Sequence, residues 1–411
     1  MSSPLLQLNP LEKVYQTALE AIQEKQSNLH EISSFLSNNP EIAFEEHEAH
    51  DKITSFLEKE GFEVNRSYNL PTAFRASYKN GSGGRIFGLN SEYDALPGIG
   101  HGCGHNLIAI SGIAALIGMR EAMKQHNVSG TVVLLGTPAE EICSGKPKLI
   151  DTGAYKEMDA CMMLHPGKVP IHNSAISAAF AHCAVIVEYL GKPAHAAALP
   201  WQGVNALDAA VAAYNGVATL RQQLEPDVRI HAIITDGGSA VNVIPEYTSS
   251  NYMIRSLSSI GVEKLKIKIE QVFNAAGMAT GCEVKITWQH LVKDLHHSEG
   301  LGDAYKEAME TLFPEHKVQC AYGEYVGGGS TDFGNVTYEL PACHPHFGIV
   351  PEVGRGQHTS EFEQAARTDI AHKETYQAAT GVAATGLKFL VDDEYAKEVS
   401  SAAEQPLPAT F

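Results

Sequence analysis

The stretch Gly98–Asn106, GIGHGCGHN, sets His101, Cys103 and His105 among glycines between two apolar runs. Thiolate and imidazole are ligands for zinc-class ions, and glycine lets a loop fold tightly around them. Two more donor groups sit in comparable places: Glu140 and Glu141 shortly after TVVLLG, and His165 directly after DACMML. Each also has an ordinary reading, as a turn with a buried thiol, a solvated acidic pair and a satisfied core histidine. Their shared placement argues for chemistry, because open α/β sheets bind ligands beyond the carboxyl ends of their strands. Such a set suits two divalent ions about 3.5–4 Å apart, which lower the pKa of a shared water. Cys103 as thiolate could bridge them, with His105, Glu141 and His165 in terminal positions. Glu140, beside a ligand, is then free to act as base, taking a proton from the water and handing it to a leaving amine.

The elements that must hold these residues are legible as patterns. Leu11, Val14, Tyr15, Ala18, Leu19 and Ile22 recur at helical spacing, continued by Leu29, Ile32, Phe35 and Leu36 until NNP. A second helix carries Ile53, Phe56 and Leu57 and stops at Gly61. RIFGLN, TVVLLG and DACMMLH read as buried strands, separated by helical patterns such as LIAISGIAALIGMREAM, so the region reads as an α/β sheet covered on both faces. From about residue 180 the order becomes strand CAVIVEYL, helix NALDAAVAAYNGVATLRQQL, strands RIHAIITD and SSNYMIRS, helix VEKLKIKIEQVFNAA and strand CEVKITWQ. That is the ferredoxin-like βαββαβ order. The expected organisation is one domain from residues 1–179 and 293–411, interrupted by a second at 180–292.

Bulk properties narrow the class. At 411 residues the chain exceeds the size at which one core stops growing. A net charge of −18 argues against a nucleic-acid partner, which needs a Lys/Arg surplus. No basic, apolar leader opens MSSPLLQLNPLEKVYQ and no run is expected to reach a membrane span, so the expectation is a cytoplasmic protein without a membrane partner. Seven cysteines are scattered without a disulfide-like framework, which fits a reducing compartment.

EYDALPGIGHGCGHN, GTPAEE, MLHPG, GKPAHAA, GGSAVNVIP, GSTDFGN and QHTSEF together resemble the aminoacylase and carboxypeptidase-type two-metal metallopeptidases, peptidase family M20. Within it they are most similar to the amidohydrolase branch, near its dipeptidase-like and p-aminobenzoyl-glutamate hydrolase-like members. The resemblance implies a metallopeptidase catalytic domain, a mixed sheet flanked by helices, with an inserted ferredoxin-like lid and dimerisation domain. It implies hydrolysis of an amide in an N-acyl amino acid or small dipeptide-like substrate bearing a free carboxylate. It further implies two divalent ions, zinc or manganese, on Cys103, His105, Glu141, His165 and His358, with Glu140 as general base and Asp94 orienting a ligand. His195 resembles the lid histidine that reaches the partner's site in a homodimer and stabilises the oxyanion. Asn242 and Arg255 look like the clamp on the substrate carboxylate, for which arginine has the matching fork. Gly327, Gly328 and Gly329 read as a loop whose backbone approaches substrate, or as a flexible connection. His344 and His346 are left out, the ligand set being full without them.

Two departures stand out. The wider family has His-x-Asp where this chain has Glu92-Tyr93-Asp94, and it bridges its metals with aspartate instead of a thiolate. Cys143, so close to Glu141, is either inert or a point of oxidation. A catalytically silent, metabolite-binding relative would show an eroded base or ligand, whereas every candidate is present. An N-carbamoyl amino acid hydrolase would lean towards the aspartate-bridged pattern.

Overall fold

A computed structural model describes residues 9–142, 145–325, 329–350 and 356–403. The first described element is α1 (Pro10–Asn38), capped by Asn9, whose side chain accepts from Glu12 N while the Glu12 carboxylate accepts from Asn9 N. This reciprocal box satisfies donors that a helix start otherwise leaves orphaned. The two apolar patterns read before and after residue 25 are one helix. α2 (His47–Lys59) ends just ahead of Gly61, whose φ of 83° is left-handed.

There follow β1 (Glu63–Arg66), β2 (Phe74–Asn80), β3 (Ile86–Glu92), α3 (His105–Gln125), β4 (Gly130–Thr137), α4 (Gly145–Asp151) and β5 (Ala160–Met162). Next come β6 (His165–Pro170) and β7 (Asn173–Ala178), joined by a short turn but not paired with each other. The middle of the chain forms β8 (Ala181–Leu190), α5 (Ala206–Leu220), β9 (Arg229–Asp236), β10 (Tyr247–Ser256), α6 (Ser259–Thr280) and β11 (Glu283–Trp288). The remainder is α7 (Glu299–Leu312), β12 (Lys317–Tyr325), α8 (Phe333–Thr337), β13 (Ala342–Cys343), β14 (His346–Val350), α9 (Ser360–Ala365), α10 (Asp369–Val391) and α11 (Asp393–Ala403).

These strands build a mixed six-stranded sheet in the order β1-β2-β4-β3-β5-β13, parallel from β4 to β13 and antiparallel at the β1 edge. Both faces are covered: Val132 and Leu134 of β4 face the core formed with α1, α3 and α10, while Val133 and Leu135 face a smaller one with Leu149 and Phe333. α3 is buried nearly all round. Against the expectation that no run reaches a span, it is long and apolar enough to cross a membrane, but 94% of its most apolar window is buried inside the protein. That is the signature of a core helix.

DACMMLH, read as one strand, is two pieces. β5 stops at Met162, and His165 opens β6 in a second sheet of order β12-β7-β14-β6. A third, antiparallel sheet has the order β11-β8-β10-β9, with α5 and α6 packed on it around their own core of Val185, Val187, Tyr252, Ile254, Ile269 and Phe273. The alternating burial of β8 and β10 is what one covered face imposes on a strand.

Candidate metal centre

The first sheet delivers most of the site. β3 ends at Glu92, so Asp94 emerges buried just beyond it, and α3 begins at His105. The turn into α3 is Gly104, with φ 82°. A Cβ there would stand 2.5 Å from the Pro166 ring. This close approach lays the loop against the start of β6, with Cys103 Sγ 3.5 Å from His165 Nε2. Gly104→Ala combines a disfavoured φ with that clash and is expected to cost at least about 2 kcal/mol, read as a lower midpoint in urea unfolding.

The donors are aimed by their neighbours. Asp94 holds His105 Nδ1 at 3.1 Å through one oxygen and accepts from Glu141 N at 2.9 Å through the other. His105 Nε2 therefore faces inwards, 3.5 Å from Glu92, 3.8 Å from Glu140 and 3.8 Å from Glu141. His165 Nδ1 donates to Pro166 O at 2.7 Å, which leaves Nε2 with a free lone pair. His358 has φ 64°, its N–H donates to Gly102 O at 2.8 Å, and its Nε2 lies 3.5 Å from Glu141 Oε2. Ala139, at φ 60°, turns the chain so that Glu140 and Glu141 enter the site, and its N–H donates to buried Glu46 at 2.9 Å. Left-handed non-glycine residues on both approaches to the site are strain that surrounding contacts must hold.

Three ligand groups result, Cys103–His105–His165, Cys103–Glu141–His358 and Glu92–His105–Glu140, each with donor atoms within 4.8 Å of one another. The first two are triads that share the Cys103 sulfur, and the third shares His105 with the first. Within the group, His105 Nε2, Glu92 Oε2 and Glu141 Oε1 are buried without hydrogen-bond partners among the described residues. Leaving such atoms unpaired costs about 1–3 kcal/mol each, and cations are the partners that nitrogen, sulfur and carboxylate donors have in common.

The electrostatics of Cys103 and His165 suit ligation, whereas His105 must give up a proton to bind an ion. Burial pushes the Cys103 thiol up to about 12, so a contacting cation is what would keep it a thiolate. Burial holds the His165 imidazole down at about 4, in the neutral form that ligates. Burial also opposes charge on His105, but the Asp94 charge and hydrogen bond override it and keep the ring well above the usual imidazole range. Glu140 is pushed well above the carboxylate range by burial, then by the charges of Glu92 and Asp332.

Sequence reasoning missed the counter-charge beneath these carboxylates. Lys146, fully buried at the start of α4, pairs with Glu92 Oε1 at 2.5 Å and with Asp332 Oδ1, and its N–H donates to Asp332 Oδ2 at 3.0 Å. No spacing rule marks a lysine in GKPKL; only its complete burial does. His344 and His346 crowd His165, with ring centroids 5.7 and 5.3 Å away, yet neither belongs to a triad.

The remaining predicted residues belong to none of these ligand groups. His195 is exposed on the inserted unit, bridged to Val243, with Asn242 O accepting from Ala196 N at 3.0 Å. His195 Nδ1 accepts from Ala197 N and Ala198 N at 3.2 and 3.1 Å, which directs its proton to Nε2. Among the described residues neither His195 nor Asn242 makes a hydrogen bond or ion pair with the Cys103 group. Arg255, on β10, donates to Ser330 Oγ at 2.9 Å, next to Gly329, whose carbonyl accepts from Phe180 N. Gly327, Gly328 and Cys143 lie outside the described residues.

Residues 88–380 match the model of Peptidase family M20/M25/M40. The chain belongs to that family. As an M20/M25/M40 peptidase it is a hydrolase acting on amide bonds. It is 40% identical to the Xaa-Arg dipeptidase of Mus musculus over 92% of this chain and 90% of that one. It is 26% identical to a p-aminobenzoyl-glutamate hydrolase chain of Escherichia coli K12, over 96% of each. Its fold matches that of a Bacillus subtilis dinuclear metal binding peptidase of the M20 family, with TM-score 0.64 and 20% identity, covering 89% of this chain and 99% of that one.

Proposed function

We propose that this M20 hydrolase is a two-metal dipeptidase or aminoacylase that releases an amino acid carrying a free carboxylate. The observation that carries the reading is the pair of ligand triads meeting at one sulfur, with Glu140 beside them and outside both. Zinc or manganese held there would acidify a water and polarise the amide carbonyl. Glu140 takes the water's proton and passes it to the leaving amine, a task served by its raised affinity for protons. Asp94 fixes the His105 ring and the Glu141 backbone at once, so it positions two donors without touching substrate.

His195 presents Nε2–H to solvent and fits the role of oxyanion donor in the site of a second copy. Exposed Ile233 and Ile234 on edge strand β9, with Val241 and Val243 beyond it, support a homodimer formed through the inserted unit. Arg255 and Asn242 are assigned to the substrate carboxylate, with the backbone at Gly329 alongside. Identity to the Xaa-Arg dipeptidases favours dipeptides ending in a basic residue as substrates.

The test is amine release by purified protein from dipeptides ending in arginine or lysine, β-alanyl dipeptides, N-acyl amino acids and p-aminobenzoyl-glutamate, with metal content measured by plasma mass spectrometry. Turnover of a basic dipeptide that is lost on chelation and restored by zinc or manganese is expected. Turnover that survives complete metal removal would overturn the reading.

A further inference from the structure

A second cluster of metal-type donors lies at the far end of β6. His172 occupies the β6–β7 turn, and His316 and Glu315 lie in the connection from α7 to β12. One donor atom from each lies within 4.8 Å of the other two. The imidazole rings sit 5.1 Å apart at 70°. His165 opens the same strand, and at about 3.3 Å per residue the seven steps from it to His172 put this cluster roughly 20 Å from the Cys103 group.

The surroundings prepare these groups as ligands. His316 is 2% exposed, and its Nε2 donates to Gln377 Oε1 at 3.1 Å. This leaves Nδ1 as the lone-pair nitrogen, and Nδ1 is buried with no hydrogen-bond partner among the described residues. His172 Nδ1 lies 2.9 Å from Glu374 Oε1, a contact bent away from good hydrogen-bond geometry, and His172 N donates to Glu374 Oε2 at 3.0 Å. Glu374, also buried, has the two histidines as its ionic partners among the described residues. Glu374 and Gln377 share one face of α10, so a single helix orients both rings, as carboxylates and amides do behind ligating histidines. An ion-pair network alone would account for Glu374 and His172, but not for an unpaired nitrogen on a buried His316 with exposed Glu315 beside it.

We propose that His172, His316 and Glu315 form a third divalent-metal site, separate from the catalytic group, of the nitrogen-and-carboxylate type that accepts zinc. Zinc bonds of about 2.0–2.2 Å place tetrahedral ligands roughly 3.5 Å apart, so closing the triad needs shifts of about an ångström. The bound ion ties the β6–β7 turn to the α7–β12 connection and, through Glu374 and Gln377, to α10. It stabilises the second sheet and takes no part in catalysis. The assignment does not rest on the proposed activity.

The experiment uses the full chain equilibrated with zinc, comparing the parent with His172→Asn/Glu315→Gln. Asparagine tolerates the φ of 62° at position 172, and Glu315 is exposed, so the fold is kept. The parent should retain one zinc equivalent more than the variant and gain thermal stability from zinc beyond that needed for full turnover. The variant should lose both while turning over substrate as before; loss of the His172–Glu374 pair lowers its melting temperature in chelator too, so the zinc-dependent shift of each protein is compared with its own metal-free state. Equal zinc counts in the two proteins, or an unchanged zinc-dependent thermal shift in the variant, would overturn the proposal. Glu315→Gln alone serves as the second variant and should weaken the extra zinc at least tenfold; unchanged affinity there would remove Glu315 from the site.

Discussion

Glu140→Gln lowers turnover about 10²–10⁴-fold while metal content stays at the parent level. Glutamine keeps the size and polarity of the side chain but cannot accept the water's proton. Glu140 stands outside both sulfur-sharing triads, although it lies 3.8 Å from His105 Nε2, within the same group as Glu92. Its loss should therefore appear in kcat and not in occupancy, whereas a ligand would show the reverse order. Metal content and kcat measured on one preparation check this. A variant with normal kcat would remove Glu140 from the reaction, and one that lost its metal would make it a ligand.

Lys146→Met is expected to destabilise the protein by about 3–5 kcal/mol. Lys146, Glu92 and Asp332 are all fully buried, and the single ammonium serves both carboxylates. Burial raises Asp332 above the usual carboxylate range even with that ammonium beside it. Removing the cation leaves two carboxylates, with Glu140 a third close by, in a place where each charge is costly. Urea unfolding of parent and variant reads the difference. A second variant, Lys146→Met with Asp332→Asn, removes one of the stranded charges and should recover part of the loss. A Lys146→Met protein unfolding at the parent's midpoint would show that water reaches the triad.

What was legible in the sequence follows from how strongly each segment is patterned. The third sheet, β8 to β11 with α5 and α6, reads clearly because its strands have one covered face, so apolar and polar residues alternate, and its helices are long. The second sheet was not legible: HPGKVP and NSAISA are short, carry glycine, proline or small residues, and pair with strands much later in the chain. For the same reason DACMMLH reads as continuous although the sheet changes at His165. In the candidate site, Cys103, His105, Glu140, Glu141 and His165 stand out because they follow buried runs. His358 does not, since it sits in a polar loop and reaches the group only by folding, with φ 64° and its N–H on Gly102. Lys146 and Asp332 are invisible for a different reason: neither residue type announces burial, and their pairing joins distant segments.

The placement of His165 at the head of β6 and of His358 ahead of α9 has a consequence for biosynthesis. The entire inserted unit is translated between these two residues, so a nascent chain displays Cys103, His105, Glu141 and His165 long before their fifth companion leaves the ribosome. Bringing it home closes a long loop, whose entropic cost rises only slowly with length. The second triad can thus be completed only once His358 has been synthesised.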